Sequence, residues 1–123
     1  MILKECIFHE NGAYKAAQHI KPVGIVVHST GCDNEMLRRY VQPTSANADA
    51  NVILADLGKN VYNNHHNQEY INGVYNDICM HAYIGCNDKG NVEIYHTLPY
   101  NYACWGCGSG KKGSCNYSPY PHI

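Results

Sequence analysis

Two apolar runs joined by a polar turn constrain the fold of this chain most strongly. Residues 78–85 form the first run, residues 91–98 form the second, and residues 87–90 between them read Asn-Asp-Lys-Gly. A short turn that ends in glycine between two such runs is typical of a β-hairpin. We therefore expect two neighbouring antiparallel strands. Alternate residues of the second run point to opposite sides of the sheet, so one side should be buried and the other wetter.

A third run, residues 23–27, is short, apolar and largely β-branched, and it follows Pro22, a residue well placed to begin a strand. We predict a buried strand over residues 24–28. His28 would be the last residue of this strand, directly before Ser-Thr-Gly, a sequence that favours a turn. An imidazole at the mouth of a buried strand is a common way to hold a metal ligand rigidly. Spacing alone also allows a histidine that is hydrogen-bonded in the core or at its edge.

Two helices are predicted on either side of this strand. A short helix fits residues 13–19. Asp33 or Asn34 can cap a second helix that begins near Glu35 and stops at Pro43, with one apolar face. Two polar stretches of low periodicity are predicted as loops: residues 44–50 and residues 60–73.

The predicted fold class is α/β, with a mixed β-sheet flanked by helices. Its strands are residues 24–28, 78–85 and 91–98, and the helix from Glu35 packs on the sheet. A chain of 123 residues is long enough for one modest core. Residues 1–123 are therefore expected to form a single domain.

The composition excludes several classes of function. Nine basic and ten acidic residues leave the chain nearly neutral, so no basic face predicts nucleic-acid binding. No apolar stretch approaches the roughly 20 residues that span a bilayer, so no membrane partner is expected. The N-terminus is too short and too interrupted for a signal peptide, so synthesis in the cytoplasm is expected. Seven cysteines without an export signal are then expected to be mostly unpaired thiols.

Five segments follow one another in an informative order: the strand end at His28, His81-Ala-Tyr-Ile-Gly, Asp88-Lys-Gly-Asn, residues 92–99, and Cys104-Trp-Gly-Cys-Gly. In this order they resemble the zinc-dependent N-acetylmuramoyl-L-alanine amidases of the phage endolysin and peptidoglycan-recognition type. The resemblance covers nearly all of this chain but only about the first two thirds of the family domain. It implies an amidase-like α/β fold, truncated at its C-terminus. It also implies cleavage of the amide between N-acetylmuramic acid and L-alanine by zinc-activated water.

The resemblance assigns roles to single residues as well. It implies that His28 binds zinc, and that His81 lines the site, where it contacts substrate or assists the zinc-bound water. Trp105 would form a wall for the peptide or sugar, although this chain has Gly106 where the family has a histidine. The catalytic glutamate and the remaining zinc ligands are expected beyond Ile123. One zinc ion is therefore expected in the complete domain, and weak or absent zinc in this chain.

Other interpretations of these residues stay open. His81 can equally be a strand histidine that is hydrogen-bonded to a neighbouring carbonyl. Cys104 and Cys107 could form a redox pair, although the glycine-rich residues that follow are poor helix formers. The two cysteines could also form half of a structural zinc site. The adjacent histidines 65 and 66 are predicted to lie at the surface, because neighbouring side chains of an extended chain point apart.

The expected function is therefore that of a peptidoglycan hydrolase that acts on the bacterial cell wall. The alternatives are a module that binds muropeptides without cutting them, and an inactive amidase fragment. A second chain or a C-terminal segment would then have to complete the site. One histidine cannot hold catalytic zinc alone, because such a site uses three protein ligands. Peptidoglycan is the expected partner in each case.

Overall fold

The computed structural model describes residues 1–29, 33–45, 47–58, 66–67, 79–106, 116 and 121–123. In this part of the chain the architecture is a small three-stranded mixed sheet with a few helices, which is broadly α/β as predicted. The strands are β1 (Ile2–Glu5), β2 (Ala82–Cys86) and β3 (Val92–His96). The α-helices are α1 (Gly12–Ala16) and α2 (Ala48–Leu54), and short 3-10 helices cover Leu37–Arg39 and Ala55–Leu57.

The predicted hairpin is confirmed. Strands β2 and β3 pair antiparallel along their whole length. The Asn87 side-chain oxygen accepts hydrogen bonds from the backbone N–H groups of Lys89 and Asn91, at 2.9 and 3.0 Å, and so closes the turn. Gly90 takes a φ of 75°, which glycine adopts without a steric penalty. Both strands are shorter than predicted, and residue 78 lies outside the described part of the chain.

An N-terminal strand that the sequence analysis did not predict completes the sheet. Strand β1 pairs parallel with β3, so the strand order is β1-β3-β2. The pairing continues beyond the strand, because the Cys6 amide donates to the His96 carbonyl at 2.8 Å and the Phe8 amide donates to the Thr97 carbonyl at 2.9 Å. Strand β3 is therefore the central strand, with partners on both sides.

The strand predicted over residues 24–28 is wrong. The backbone of this described segment is extended, but it joins the C-terminal residues by a single parallel bridge, between Gly24 and His122. Ile25 is 74% exposed and Val27 is 89% exposed, so the run is not buried either. β-Branched residues favour extended backbone, whereas burial depends on a layer that covers their side chains. The described residues place no such layer over this run.

The helix predicted from Glu35 to Pro43 is also wrong, because only one 3-10 turn forms there, at Leu37–Arg39. Tertiary pairing explains the difference. The Glu35 carbonyl accepts a hydrogen bond from the Cys86 amide at 2.8 Å, and Met36 forms a parallel bridge with Cys86. Residues that extend along the end of β2 cannot at the same time take helical φ and ψ values.

The helix predicted over residues 13–19 is confirmed in part, since α1 covers Gly12–Ala16. Asn11 caps its N-terminus, where the side-chain oxygen accepts a hydrogen bond from the Ala13 amide at 2.9 Å. Ala17 ends the helix in the left-handed region, with a φ of 47°. The helix is short because this left-handed residue turns the chain away from the helix axis.

Residues 44–50 were predicted as a loop, but α2 begins at Ala48 and so corrects that prediction. Ala50 and Leu54 lie four residues apart on one side of the helix, and both are buried. In the sequence, the polar residues of this stretch make that short apolar side hard to recognise. The core contains side chains from β3, the helices and the segments next to them: Cys6, Phe8, Ala13, Leu37, Val41, Ala50, Leu54, Leu57, Cys79, Tyr95, Leu98 and Cys104.

Four cysteines lie in the described part of the chain, and each carries a thiol there rather than a disulfide. They are Cys6, Cys79, Cys86 and Cys104. The other three, at positions 32, 107 and 115, lie outside the described residues. Burial, opposed by the charge of Lys4, raises the pKa of Cys6 to about 12, so this thiol is protonated and unreactive at neutral pH. The described cysteines agree with the expectation of unpaired thiols.

A buried polar cluster lies on one side of β3, and we call it the Glu93 network. Its members are Lys4, Asp56, Asn87, Glu93 and Tyr95. One carboxylate oxygen of Glu93 accepts from the Asn87 amide at 2.9 Å. The other accepts from the Tyr95 hydroxyl and lies 3.1 Å from the Lys4 ammonium. Glu93 is 3% exposed, so this carboxylate depends on its partners rather than on water.

The charge state of Glu93 follows from these contacts. Burial opposes ionisation, but the hydrogen bonds from Tyr95 and Lys4, together with the Lys4 charge and the Asn87 amide, outweigh burial and lower the pKa of the carboxyl group. Glu93 therefore stays ionised at neutral pH. The ionised carboxylate joins β1, β3 and the hairpin turn.

Candidate functional site

A groove of about 560 Å³ lies between the extended segment 25–29 and the residues in and before β2. Its volume falls in the range of ligand pockets, roughly 300–1,000 Å³. Most of the lining side chains are apolar or aromatic, and four carry imidazole rings. The described residues that line the groove are residues 25–29, Tyr40, His66, residues 80–84, Tyr100, Cys104, His122 and Ile123.

The groove contains both histidines for which the sequence predicted a role. His28 and His81 are far apart in the sequence, and both line the groove. His28 is exposed, so it is not held at the mouth of a buried strand as predicted. His81 immediately precedes β2 and is only 4% exposed. The fold therefore brings the two predicted residues to one concave surface, one of them accessible and the other buried.

The geometry of His81 determines which of its ring nitrogens carries the proton. Its Nε2 lies 2.7 Å from the carbonyl oxygen of Tyr102. A carbonyl can only accept, so Nε2 carries hydrogen and donates it. Burial lowers the pKa of His81, against the opposing effect of this hydrogen bond, and the nearby His96 lowers it further. The ring is therefore neutral at pH 7, and its Nδ1 is a hydrogen-bond acceptor.

The His81 Nδ1 atom is buried, and no group in the described part of the chain donates a hydrogen bond to it. A buried polar atom without a partner costs free energy in the empty groove, and a ligand that donates a hydrogen bond would remove that cost. The alternative interpretation of His81, a histidine bonded to a neighbouring carbonyl, describes its Nε2 correctly. The same ring belongs to a residue that lines the groove, and its other nitrogen is the buried acceptor.

Tyr83 and His66 form part of the aromatic wall. The Tyr83 oxygen lies 2.5 Å from His66 Nδ1, and it accepts a hydrogen bond from the Met80 amide at 3.3 Å. Burial raises the pKa of Tyr83, so its hydroxyl stays protonated and shares a hydrogen bond with His66. His66 was predicted at the surface, whereas it is half-buried in the groove. Residue 65 lies outside the described residues.

Tyr100 presents an accessible aromatic ring to the groove. It is 46% exposed, and its ring stacks on that of His96 with a centroid distance of 4.3 Å and an interplanar angle of 17°. The His81 ring lies 6.0 Å away at 24°. Sequence reasoning selected neither Tyr100 nor His96 for the site. The only signal was compositional: the chain has eleven tyrosines and one phenylalanine, and tyrosine suits half-wet surfaces.

Trp105 lies outside the described lining of the groove and packs, half-buried, against the core. The substrate-wall role that the resemblance implies for this residue stays a prediction. The neighbouring Gly106 has a steric reason to be glycine. A Cβ atom there would lie 2.6 Å from the Met80 sulfur, so a larger residue would displace a side chain that lines the groove.

The described residues do not form a complete metal site. No three His, Cys, Asp or Glu side chains among them are grouped so as to hold an ion. His81 and Cys107 have side chains that could join His28 as zinc ligands. The first already uses Nε2 on the Tyr102 carbonyl, and the second lies outside the described residues. A catalytic zinc takes three protein ligands, so the described groove does not fit one by itself.

Comparisons with known proteins add no assignment. No protein-family model, no curated protein and no solved structure matches this chain. Across the ranges that the structure describes, no helix has both the length and the apolar character needed to cross a membrane.

Proposed function

We propose that this chain is an N-acetylmuramoyl-L-alanine amidase-type domain whose groove binds the glycan–peptide junction of peptidoglycan. The observation that carries the proposal is the joint placement of His28 and His81. Each was selected from sequence motifs, and both line one groove of ligand size. The amidase-like fold belongs to the same proposal, with the mixed three-stranded sheet as its described part.

The groove suits a ligand with an apolar body and few polar groups. Ile25, Val27 and Ile84 supply exposed apolar surface along its walls. Tyr100 and His81 supply an aromatic face and a buried acceptor. Ligand sites typically combine an apolar lining with a few fixed polar atoms that orient the ligand. A muropeptide has alanine and sugar C–H surface together with amide and hydroxyl donors, and it matches this combination.

The reaction of this class is hydrolysis of the amide between the lactyl group of N-acetylmuramic acid and L-alanine. Zinc, when bound, polarises the carbonyl and lowers the pKa of a bound water to about 7. His28 would be one of its ligands, because it is the exposed imidazole on the groove. The other ligands would come from outside the described residues, either in this polypeptide or in a second chain. Bacterial cell wall is the proposed place of action.

The test is a muropeptide assay on the folded chain. Muramyl dipeptide is titrated by NMR, and purified cell wall is incubated with the chain and zinc, with and without chelator. The proposal expects saturable binding at the groove, and chelator-sensitive release of L-alanine amino groups once the metal site is complete. Binding without release in the complete protein would identify the non-catalytic alternative. No binding of muramyl dipeptide would contradict both.

The metal role of His28 has a separate test. Zinc affinity is measured in the complete protein by competition with a chromophoric chelator, without substitution, with His28→Ala and with His9→Ala, an exposed histidine outside the described groove lining. His28→Ala should weaken zinc binding at least tenfold, because it removes the ligand on which the site is built, whereas His9→Ala should leave it unchanged. Equal zinc affinity in all three proteins would exclude His28 as a ligand.

A further inference from the structure

The ring of Tyr100 stacks on His96, and the residue is partly exposed where it lines the groove. Its stacking on His96, at 4.3 Å and 17°, limits rotation of a side chain that is otherwise 46% exposed. An exposed tyrosine normally keeps its rotamer freedom and loses it on binding. A ring that is already held loses less of this freedom, so it is prepared for a ligand that stacks on its face.

A second feature beside this ring indicates which kind of ligand would stack there. The His81 ring lies 6.0 Å from the Tyr100 ring, nearly parallel to it, and its buried Nδ1 accepts no hydrogen bond from the described residues. The site therefore combines a flat aromatic face with a neighbouring neutral acceptor. A complementary ligand must offer an apolar face and, at its edge, an O–H or N–H donor.

A pyranose sugar has this combination of groups. Its axial C–H bonds form a face with positive partial charge, which is attracted to the negative face of an aromatic ring. Its hydroxyl and acetamido groups lie at the edge and donate hydrogen bonds. A peptide backbone also donates hydrogen bonds, but it presents no comparable flat C–H face.

We propose that Tyr100 is the stacking platform for the pyranose ring of a peptidoglycan sugar, that His96 holds this platform in position, and that His81 Nδ1 accepts a hydrogen bond from the same sugar. This inference rests on the proposed function, because it identifies the glycan end of the same groove. It gives a role to Tyr100 and makes His96 a positioning residue.

The experiment compares three probes by NMR titration: muramyl dipeptide, the L-alanyl-D-isoglutamine dipeptide without sugar, and N-acetylmuramic acid methyl glycoside without peptide. Tyr100→Ala should weaken binding of the two sugar-containing probes roughly tenfold, a change that matches the energy of an aromatic stacking contact. Binding of the dipeptide should not change. Tyr100→Phe keeps the aromatic face and should bind all three probes within about twofold of the unsubstituted chain.

The role of His96 is tested with two substitutions. His96→Ala removes the ring under Tyr100 and should weaken the sugar-containing probes several-fold, whereas His96→Phe keeps a stacking ring and should restore their binding. His96→Phe also removes a buried Nε2 that has no hydrogen-bond partner in the described part of the chain, so it should not impair folding. Failure of phenylalanine to restore binding would contradict the positioning role.

The outcomes separate this inference from the proposed function. If the chain binds muramyl dipeptide and the dipeptide equally well but does not bind the glycoside, or if Tyr100→Ala binds the sugar-containing probes as tightly as the unsubstituted chain, the platform is overturned and the proposed function stands. If the glycoside binds through Tyr100, but the dipeptide does not bind and the complete protein releases no amino groups from cell wall, the platform stands and the amidase proposal fails.

Discussion

Glu93 in its network and His81 in the groove are both buried and polar, but they differ in how their polar atoms are paired. In the network, both carboxylate oxygens of Glu93 are hydrogen-bonded, to Asn87 on one side and to Tyr95 and Lys4 on the other. In the groove, His81 has one nitrogen on the Tyr102 carbonyl and a second, buried nitrogen with no described partner.

The difference separates structure from recognition. A buried polar group whose partners are all internal stabilises one arrangement of the chain and has nothing to offer a ligand. A buried acceptor that lacks an internal partner raises the free energy of the empty site, and a ligand with a donor lowers it. Burial and polarity alone would make Glu93 and His81 equally good candidates for a binding site, since both are buried and polar. Their partners distinguish them.

The largest expected effect is loss of stability on breaking the network. Glu93→Ala leaves the Asn87 amide and the Tyr95 hydroxyl without their acceptor and removes one of the two carboxylates beside Lys4, so it should lower the free energy of unfolding by about 1–3 kcal/mol. Urea denaturation measures the change. Glu5→Ala, on the exposed part of β1, is the matched control and should change stability by no more than about 0.5 kcal/mol. Equal effects of the two substitutions would remove the distinction between network and surface.

The next effect is on binding rather than on folding. His81→Phe keeps an aromatic ring but removes the acceptor, and should weaken muramyl dipeptide binding roughly five- to tenfold, the value of about one hydrogen bond. His9→Phe serves as the control, since His9 is an exposed histidine outside the groove lining. Unchanged affinity in His81→Phe would show that Nδ1 does not contact the ligand.

The smallest effect is a difference between two pH dependences. The pKa of His81 is lowered from its ordinary value of 6.5, so the neutral acceptor persists above that pH and is lost as pH falls through the lowered value. Muramyl dipeptide affinity should fall over the same range. His28, His66, His96 and His122 also lie in or beside the groove, so comparison with the profile of His81→Phe isolates the contribution of His81.

The network should respond only in stronger acid. The pKa of Glu93 is lowered from its ordinary value of 4.5, so the stability that its ionised form contributes is complete above that pH and is lost as pH falls through the lowered folded-state value. Unfolding measured against pH should show this loss in the unsubstituted chain and not in Glu93→Gln. A single transition in which binding and folding fail together would contradict the separation of the two regions.

Local sequence determined the parts of the fold that depend on neighbouring residues. The hairpin was predictable because Asn87 and Gly90 build the turn from their own backbone and side-chain preferences, and the two apolar runs supply its strands. The N-terminal part of the helix predicted over residues 13–19 was predictable for a similar reason, since Asn11 caps α1 locally. The motif order also selected His28 and His81, but it did not determine whether they meet.

Tertiary structure decided everything that required a distant partner. Strand β1 forms because β3 offers an open edge, and residues 35–36 extend because the end of β2 accepts them. The run before His28 has strand composition, yet it stays exposed because no described layer covers it. The Glu93 carboxylate on β3 can be buried because the Lys4 ammonium on β1 lies beside it. Composition and spacing set local backbone preference, whereas burial and hydrogen-bond partners depend on which segments fold against one another.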